Sequence, residues 1–164
     1  MPMFSLEIDT LARLVIADAR ARGLRIATAE SCTGGLVAAA LCSVAGASDV
    51  FERGFVAYSN RAKQELLGVA GDLIADLGAV SDPIARMMAE GALEHSHAHL
   101  AVAITGIAGP DGGTPMKPVG TVHLATARTN ASVRHRLEFF DFKDRAAVQT
   151  AATEAALEML RERL

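Results

Sequence analysis

Seven residues in the second half of the chain, Leu100-Ala101-Val102-Ala103-Ile104-Thr105-Gly106, form an apolar run that closes on Thr-Gly. No alternation breaks the run, so it reads as a strand buried on both faces. Such a strand needs a covering layer on each side, which demands a largely parallel sheet with helices above and below. The chain can supply those layers. It has 164 residues, 51% of them hydrophobic, while only 4% are aromatic, so aliphatic packing must carry the core.

The rest of the sequence alternates in the same sense. Ser5 starts a predicted helix whose apolar face is Ile8, Leu11, Ala12, Val15 and Ala19, ended by Gly23. A strand over 24–30 leads into a helix from 34 to about 44. Residues 51–59 suit a strand, although Gly54 weakens it or marks a bulge. Asn60 is the predicted N-cap of a helix over 61–67 closed by Gly68. A short helix over 73–77 follows. Then comes one capped by Ser81, with Pro83 in its first turn and Ile84, Met87, Met88 and Ala92 on one face. Strands over 121–129 and 132–142 form a hairpin turning at Asn130-Ala131. Asp144 caps a last helix, whose apolar positions from Val148 to Leu160 keep helical spacing. The expected fold is a single domain over 1–164: a three-layer α/β/α sandwich around a mixed, mostly parallel sheet of about five strands.

Three places carry chemistry. In Thr28-Ala29-Glu30-Ser31-Cys32-Thr33-Gly34-Gly35, hydroxyls and glycines gather where a new helix exposes free backbone N–H groups, a natural anion or oxyanion site. The plainer alternative is that Ser31 or Thr33 merely caps the helix. Lys63 falls at the third position of its predicted helix, where the dipole disfavours a positive charge. It reads either as a base with a depressed pKa or as a solvated surface lysine. Residues 109–118 hold three glycines and three prolines. A loop this long at the carboxyl end of a central strand reads as functional. It lacks the Gly-Lys-Ser/Thr of a phosphate-binding P-loop. Arg145 opens the last helix, again against the dipole unless an anion lies nearby.

Other classes are disfavoured. A net charge of −3 argues against a general nucleic-acid or membrane-surface binder. Cys32 and Cys42 lie too far apart along one helix for a disulfide. No basic segment followed by a long apolar run opens the chain, and no apolar stretch reaches membrane-spanning length, so a cytoplasmic protein is expected. His95, His97 and His99 could align as metal ligands on a strand, but without acidic or thiol partners they read as a turn, and no metal is expected.

Three segments together resemble the CinA C-terminal domain family: Ala29-Glu30-Ser31-Cys32-Thr33-Gly34-Gly35-Leu36, then Val56-Ala57-Tyr58-Ser59-Asn60-Arg61-Ala62-Lys63, then 105–115 with its Thr-Gly-Ile-Ala-Gly-Pro-Asp-Gly-Gly-Thr-Pro. The similarity runs from about Leu6 to the C-terminus. Characterised members of that family are nicotinamide-nucleotide amidohydrolases. The resemblance therefore implies hydrolysis of the carboxamide of nicotinamide mononucleotide to nicotinate mononucleotide and ammonia. It implies a serine amidase with Ser31 as nucleophile, Lys63 as base and Tyr58 nearby. It further implies substrate contacts from Thr33, Gly34, Asn60, Thr105, Gly106 and Arg145. No cofactor is implied. The partner is a small nucleotide substrate, and a homo-oligomer, a dimer first, is expected. Asp111, Met116 and Gln149 depart from the family pattern. The rival readings are a non-catalytic nucleotide-binding module and a thiol enzyme using Cys32. The second is disfavoured because Cys32 turns away from the side of Ser31.

Overall fold

The computed structural model describes residues 1–142 and 144–164. Its elements run α1 (Leu6–Ala21), β1 (Ile26–Glu30), α2 (Leu36–Cys42), β2 (Phe51–Val56), α3 (Asn60–Leu67), α4 (Gly71–Leu77), α5 (Asp82–Glu94), β3 (Leu100–Gly106), β4 (Thr121–Arg128), β5 (Arg134–Phe139) and α6 (Arg145–Arg161). The five strands form one sheet in the order β2-β1-β3-β4-β5. β1 is parallel to β2 and to β3, and only β4 runs against its neighbours. Helices cover both faces, which is the three-layer α/β/α arrangement expected from the doubly buried strand. Among the described residues no helix is long and apolar enough to cross a membrane.

The two faces of the sheet differ in residue size, and this places the helices. Ile26, Leu100, Val102, Ile104, Val122 and Leu124 point toward α1, α2 and α6. The other face is paved with alanine: Ala27, Ala101 and Ala127 stand in one cross-strand row, and Ala29, Ala103 and Ala125 in the next. Small side chains let α5 settle close to the sheet. The α3–α5 contact is tighter still, since a Cβ on Gly91 would lie 2.0 Å from the Leu67 carbonyl oxygen. This packing holds α3, and Lys63 with it, over the carboxyl ends of β1 and β3.

Most element ends moved by a few residues. β1 starts at Ile26, β2 stops at Val56, α4 starts at Gly71, and β5 is confined to Arg134–Phe139. Gly54 stays in register with Thr28. The irregularity falls instead where the partner of Ile26 is Phe51 and that of Ala27 is Arg53. One cap is corrected. Ser59, not Asn60, is the N-cap of α3: its backbone is extended and its hydroxyl accepts from the Ala62 N–H. Ser81 does precede α5, but its hydroxyl donates to the Gly78 carbonyl rather than capping the helix. Asp144 caps α6 as expected, accepting from the Ala146 N–H.

Candidate active site

β1 is where the sheet order reverses, with β2 on one side and β3 on the other. Open α/β sheets bind ligands at the carboxyl ends of strands flanking such a switch point. A cleft of about 280 Å³ lies there, lined by Ser31 after β1, Thr105 and Gly106 at the end of β3, Tyr58 and Lys63 around the start of α3, and Arg145 opening α6. Asn60, Gly109 and Asp111 complete the rim. The structure thus brings seven of the nine sequence-predicted site residues to one cleft: Ser31, Tyr58, Asn60, Lys63, Thr105, Gly106 and Arg145.

Thr33 and Gly34 are not among its lining residues, and the reason is Glu30. This carboxylate, fully buried at the end of β1, accepts from the Thr33 hydroxyl at 2.7 Å and from the N–H groups of Val37 and Ala38 at 2.9 and 3.0 Å. It fills the anion site at the start of α2, where a negative charge is favoured by the dipole and by free N–H donors. Neither Ser31 nor Thr33 caps the helix; Gly35, at φ 103°, stands at the N-cap position. The α2 terminus is therefore closed to a substrate anion. Among the described residues no backbone carbonyl or side-chain oxygen accepts from the N–H of Cys32 or Thr33.

Lys63 is not a solvated lysine. Its side chain is 1% exposed, and its Nζ lies 3.0 Å from Ser31 Oγ and 3.1 Å from the Tyr58 carbonyl oxygen. With Ser59 as cap, Lys63 sits at the fourth helical position rather than the third. Among the described residues no carboxylate pairs with it. Burial pushes its pKa below the ordinary lysine value. Ser31 is held from behind, its N–H donating to the Ile104 carbonyl at 2.9 Å. A buried amine of lowered pKa against a serine hydroxyl is the arrangement of an activated nucleophile.

Tyr58 meets Lys63 through its backbone, not its ring. Its phenol is turned to the rim, where it accepts from Arg145 at 2.8 Å. The same guanidinium donates to the Gly109 carbonyl at 2.7 Å, tying α6 to the glycine-rich loop. Its remaining N–H groups are available to an anion. Thr105 lines the cleft, but its hydroxyl donates to the Ala79 carbonyl, so it joins the loop between α4 and α5 to β3. Gln149, a departure from the family pattern, donates to the Cys32 carbonyl and anchors α6 to the turn after Ser31. The Cys32 thiol is pushed up to about 12 by burial, so it is a poor nucleophile.

The histidines lie outside the cleft. His95 Nδ1 approaches the Gly91 carbonyl at 2.8 Å, and His99 Nδ1 accepts from the Arg25 N–H. His97 sits in the turn between them. His123 and His135 stack on each other in the hairpin, linked at 2.8 Å. Among the described residues no group of three or more His, Cys, Asp or Glu side chains is placed to hold a metal ion. Glu30 is the residue that sequence reasoning missed. Its signal was an acidic side chain ending a strand just before a helix start.

These features define an α/β sandwich domain with a serine–lysine pair at its topological switch point. The chain belongs to the CinA C-terminal domain family, which it matches over residues 8–164. It is 52% identical over 153 residues to a CinA-like protein of Anaeromyxobacter dehalogenans (strain 2CP-C), covering 93% of this chain and 37% of that protein. It is 42% identical over 163 residues to a putative competence-damage inducible protein of Caldicellulosiruptor saccharolyticus, covering 98% of this chain and 38% of the relative. The chain thus spans well under half the length of these curated relatives. Among solved structures, the competence/damage inducible protein CihA from Agrobacterium tumefaciens superposes with a TM-score of 0.95 at 50% identity, covering 98% and 97% of the two chains. The competence damage-inducible protein A from Klebsiella pneumoniae gives 0.90 at 36% identity, covering 95% and 96%.

Proposed function

We propose that this domain hydrolyses the carboxamide of nicotinamide mononucleotide to nicotinate mononucleotide and ammonia, with Ser31 as nucleophile and Lys63 as general base. The observation that carries the reading is the buried Lys63 Nζ at 3.0 Å from Ser31 Oγ, with no acidic partner among the described residues. A neutral lysine there donates to the Tyr58 carbonyl and turns its lone pair to the serine hydroxyl. Ser31 Oγ attacks the carboxamide carbon as its proton passes to Lys63. Backbone N–H groups after Ser31, that of the cleft-lining Cys32 first, stabilise the oxyanion, each such donor being worth about 3–4 kcal/mol in comparable sites. The C–N bond then breaks, and Lys63 returns the proton to the departing ammonia. Water, deprotonated by Lys63, cleaves the acyl-enzyme and restores Ser31 Oγ–H.

Arg145, at the rim beyond the pair, suits the 5′-phosphate, and Tyr58 and Asn60 line the path between. A cationic pyridinium in the cleft would lower the Lys63 pKa further. The test is release of ammonia from nicotinamide mononucleotide by the purified protein, with free nicotinamide and the riboside as comparisons. Turnover of the mononucleotide well above that of the riboside is expected. Tight binding of the nucleotide with no ammonia would leave a non-catalytic binding module instead.

A further inference from the structure

A second basic cleft lies at the opposite end of the sheet from Ser31. It has a volume of about 350 Å³ and is lined by Arg128 at the end of β4, Thr129 and Asn130 in the hairpin turn, Arg134 at the start of β5, and Arg163 beyond the end of α6. Arg163 is only 5% exposed. It donates to the Ser132 carbonyl at 2.9 Å and weakly to Thr126 Oγ1 at 3.4 Å. Among the described residues no carboxylate pairs with Arg128, Arg134 or Arg163. Seven arginines elsewhere each lie within 3.6 Å of a carboxylate. Glu162 also borders the cleft, but its carboxylate is engaged by Arg136 at 2.5 Å.

Glu162 and Leu164 also line the cleft, but among the described residues no carboxylate comes within 4.0 Å of the three guanidinium groups, which repel one another, and one of them is buried. Burial and the charges of Arg134 and Arg128 both push the Arg163 pKa down. Arg163 ties the hairpin turn to the chain end through Ser132, and Arg128 is compensated locally, donating to the Arg163 carbonyl at 2.6 Å, beyond the last turn of α6. A helix C-terminus carries about half a negative charge, which one cation more than balances. The other two are left uncompensated in a chain whose net charge is −3.

We propose that this cleft is a binding site for a phosphate-bearing small molecule, held by Arg128, Arg134 and Arg163. Guanidinium forks match phosphate oxygens bidentately. The Asn130 amide at the turn offers a further donor. The site is separate from the Ser31 cleft. Arg145 opens α6 and Arg163 follows its end, so a 17-residue helix, about 25 Å long, lies between them. It is also independent of the proposed amidase activity.

The probes are inorganic phosphate and pyrophosphate, titrated at constant ionic strength against chloride and followed by calorimetry and by Tm. The wild-type protein should bind pyrophosphate saturably and gain several degrees in Tm. Arg134 is exposed, so Arg134→Gln should fold normally while weakening pyrophosphate about tenfold. Arg145→Ala should leave this binding in place, because it touches only the other cleft. Arg163→Lys, which keeps charge without the fork, should weaken it as well. Absence of saturable binding to the wild-type protein would overturn the proposal. So would binding that disappears in Arg145→Ala and survives Arg134→Gln.

Discussion

Two strand-to-helix junctions face each other across the Ser31 cleft, and each buries one charged side chain. At the β1–α2 junction the charge is Glu30, a carboxylate at a helix N-terminus with three donors on its two oxygens. At the β2–α3 junction it is Lys63, an amine near a helix N-terminus whose partners among the described residues are neutral. Glu30 sits with the dipole and is satisfied, so it can act only as scaffold. Lys63 sits against the dipole and against burial, so its charged form is disfavoured relative to that of an ordinary lysine. Similar local geometry thus yields a strut in one place and the proposed base in the other, according to the sign of the charge.

The largest effect should come from the lysine junction. Ser31→Ala and Lys63→Ala should each lower kcat for amide hydrolysis by several orders of magnitude while substrate still binds, and the double variant should be scarcely worse than either single one. Lys63→Arg should not rescue, because arginine stays protonated. Near-normal turnover in Ser31→Ala would mean that an activated water attacks directly.

Breaking the other junction should act through the fold. Glu30→Ala strands the Val37 and Ala38 N–H groups, each costing about 1–3 kcal/mol when buried, so unfolding by urea should show a loss of about 3 kcal/mol. Glu30→Gln should lose less stability. Its amide cannot accept from both N–H groups and the Thr33 hydroxyl at once, so kcat should fall through displacement of Ser31. Unchanged stability in Glu30→Ala would remove the contrast between the junctions.

Arg145→Ala should raise KM for the mononucleotide about 10- to 100-fold with a smaller change in kcat, the size expected for a lost charge-assisted phosphate contact. It should leave the riboside unaffected. Tyr58→Phe should cost only a few-fold, because the phenol meets Arg145 and the backbone carbonyl holding Lys63 is retained. An equal KM change for both substrates would move Arg145 out of phosphate recognition.

The smallest effect is a slope in stability with pH. The folded pKa of Lys63 lies below its unfolded value, so between the two the unfolded chain binds more protons and stability rises with pH. At neutral pH the buried site is a net cost to Lys63 relative to the unfolded chain, in either protonation state. Lys63→Met should therefore be more stable than the wild-type protein at pH 7, with the gap narrowing as pH climbs through the folded pKa toward 10.5. Thermal melts across that range measure it. A constant gap would mean that Lys63 keeps an ordinary pKa.

The covalent order of residues was enough for the layers. The run from Leu100 to Ile104 has no polar face, so it could only be a central strand, and the helical spacing of Val148 to Leu160 could only cover it. The hairpin, the caps at Ser5 and Asp144 and the loop after β3 were legible for the same reason: each depends on residues a few positions apart. The partner of Ser31 was legible only through the family's motifs, because Lys63 lies 32 residues away. What sequence alone misplaced was the direction of polar side chains. Thr33 reads equally well as a cap or a ligand contact until Glu30 is found to take its hydroxyl. The Tyr58 phenol reads as a neighbour of Lys63 until Arg145, 87 residues on, is found to hold it at the rim. A hydroxyl takes whichever donor or acceptor the packed chain places within 3 Å or so, and short-range pattern carries no information about that.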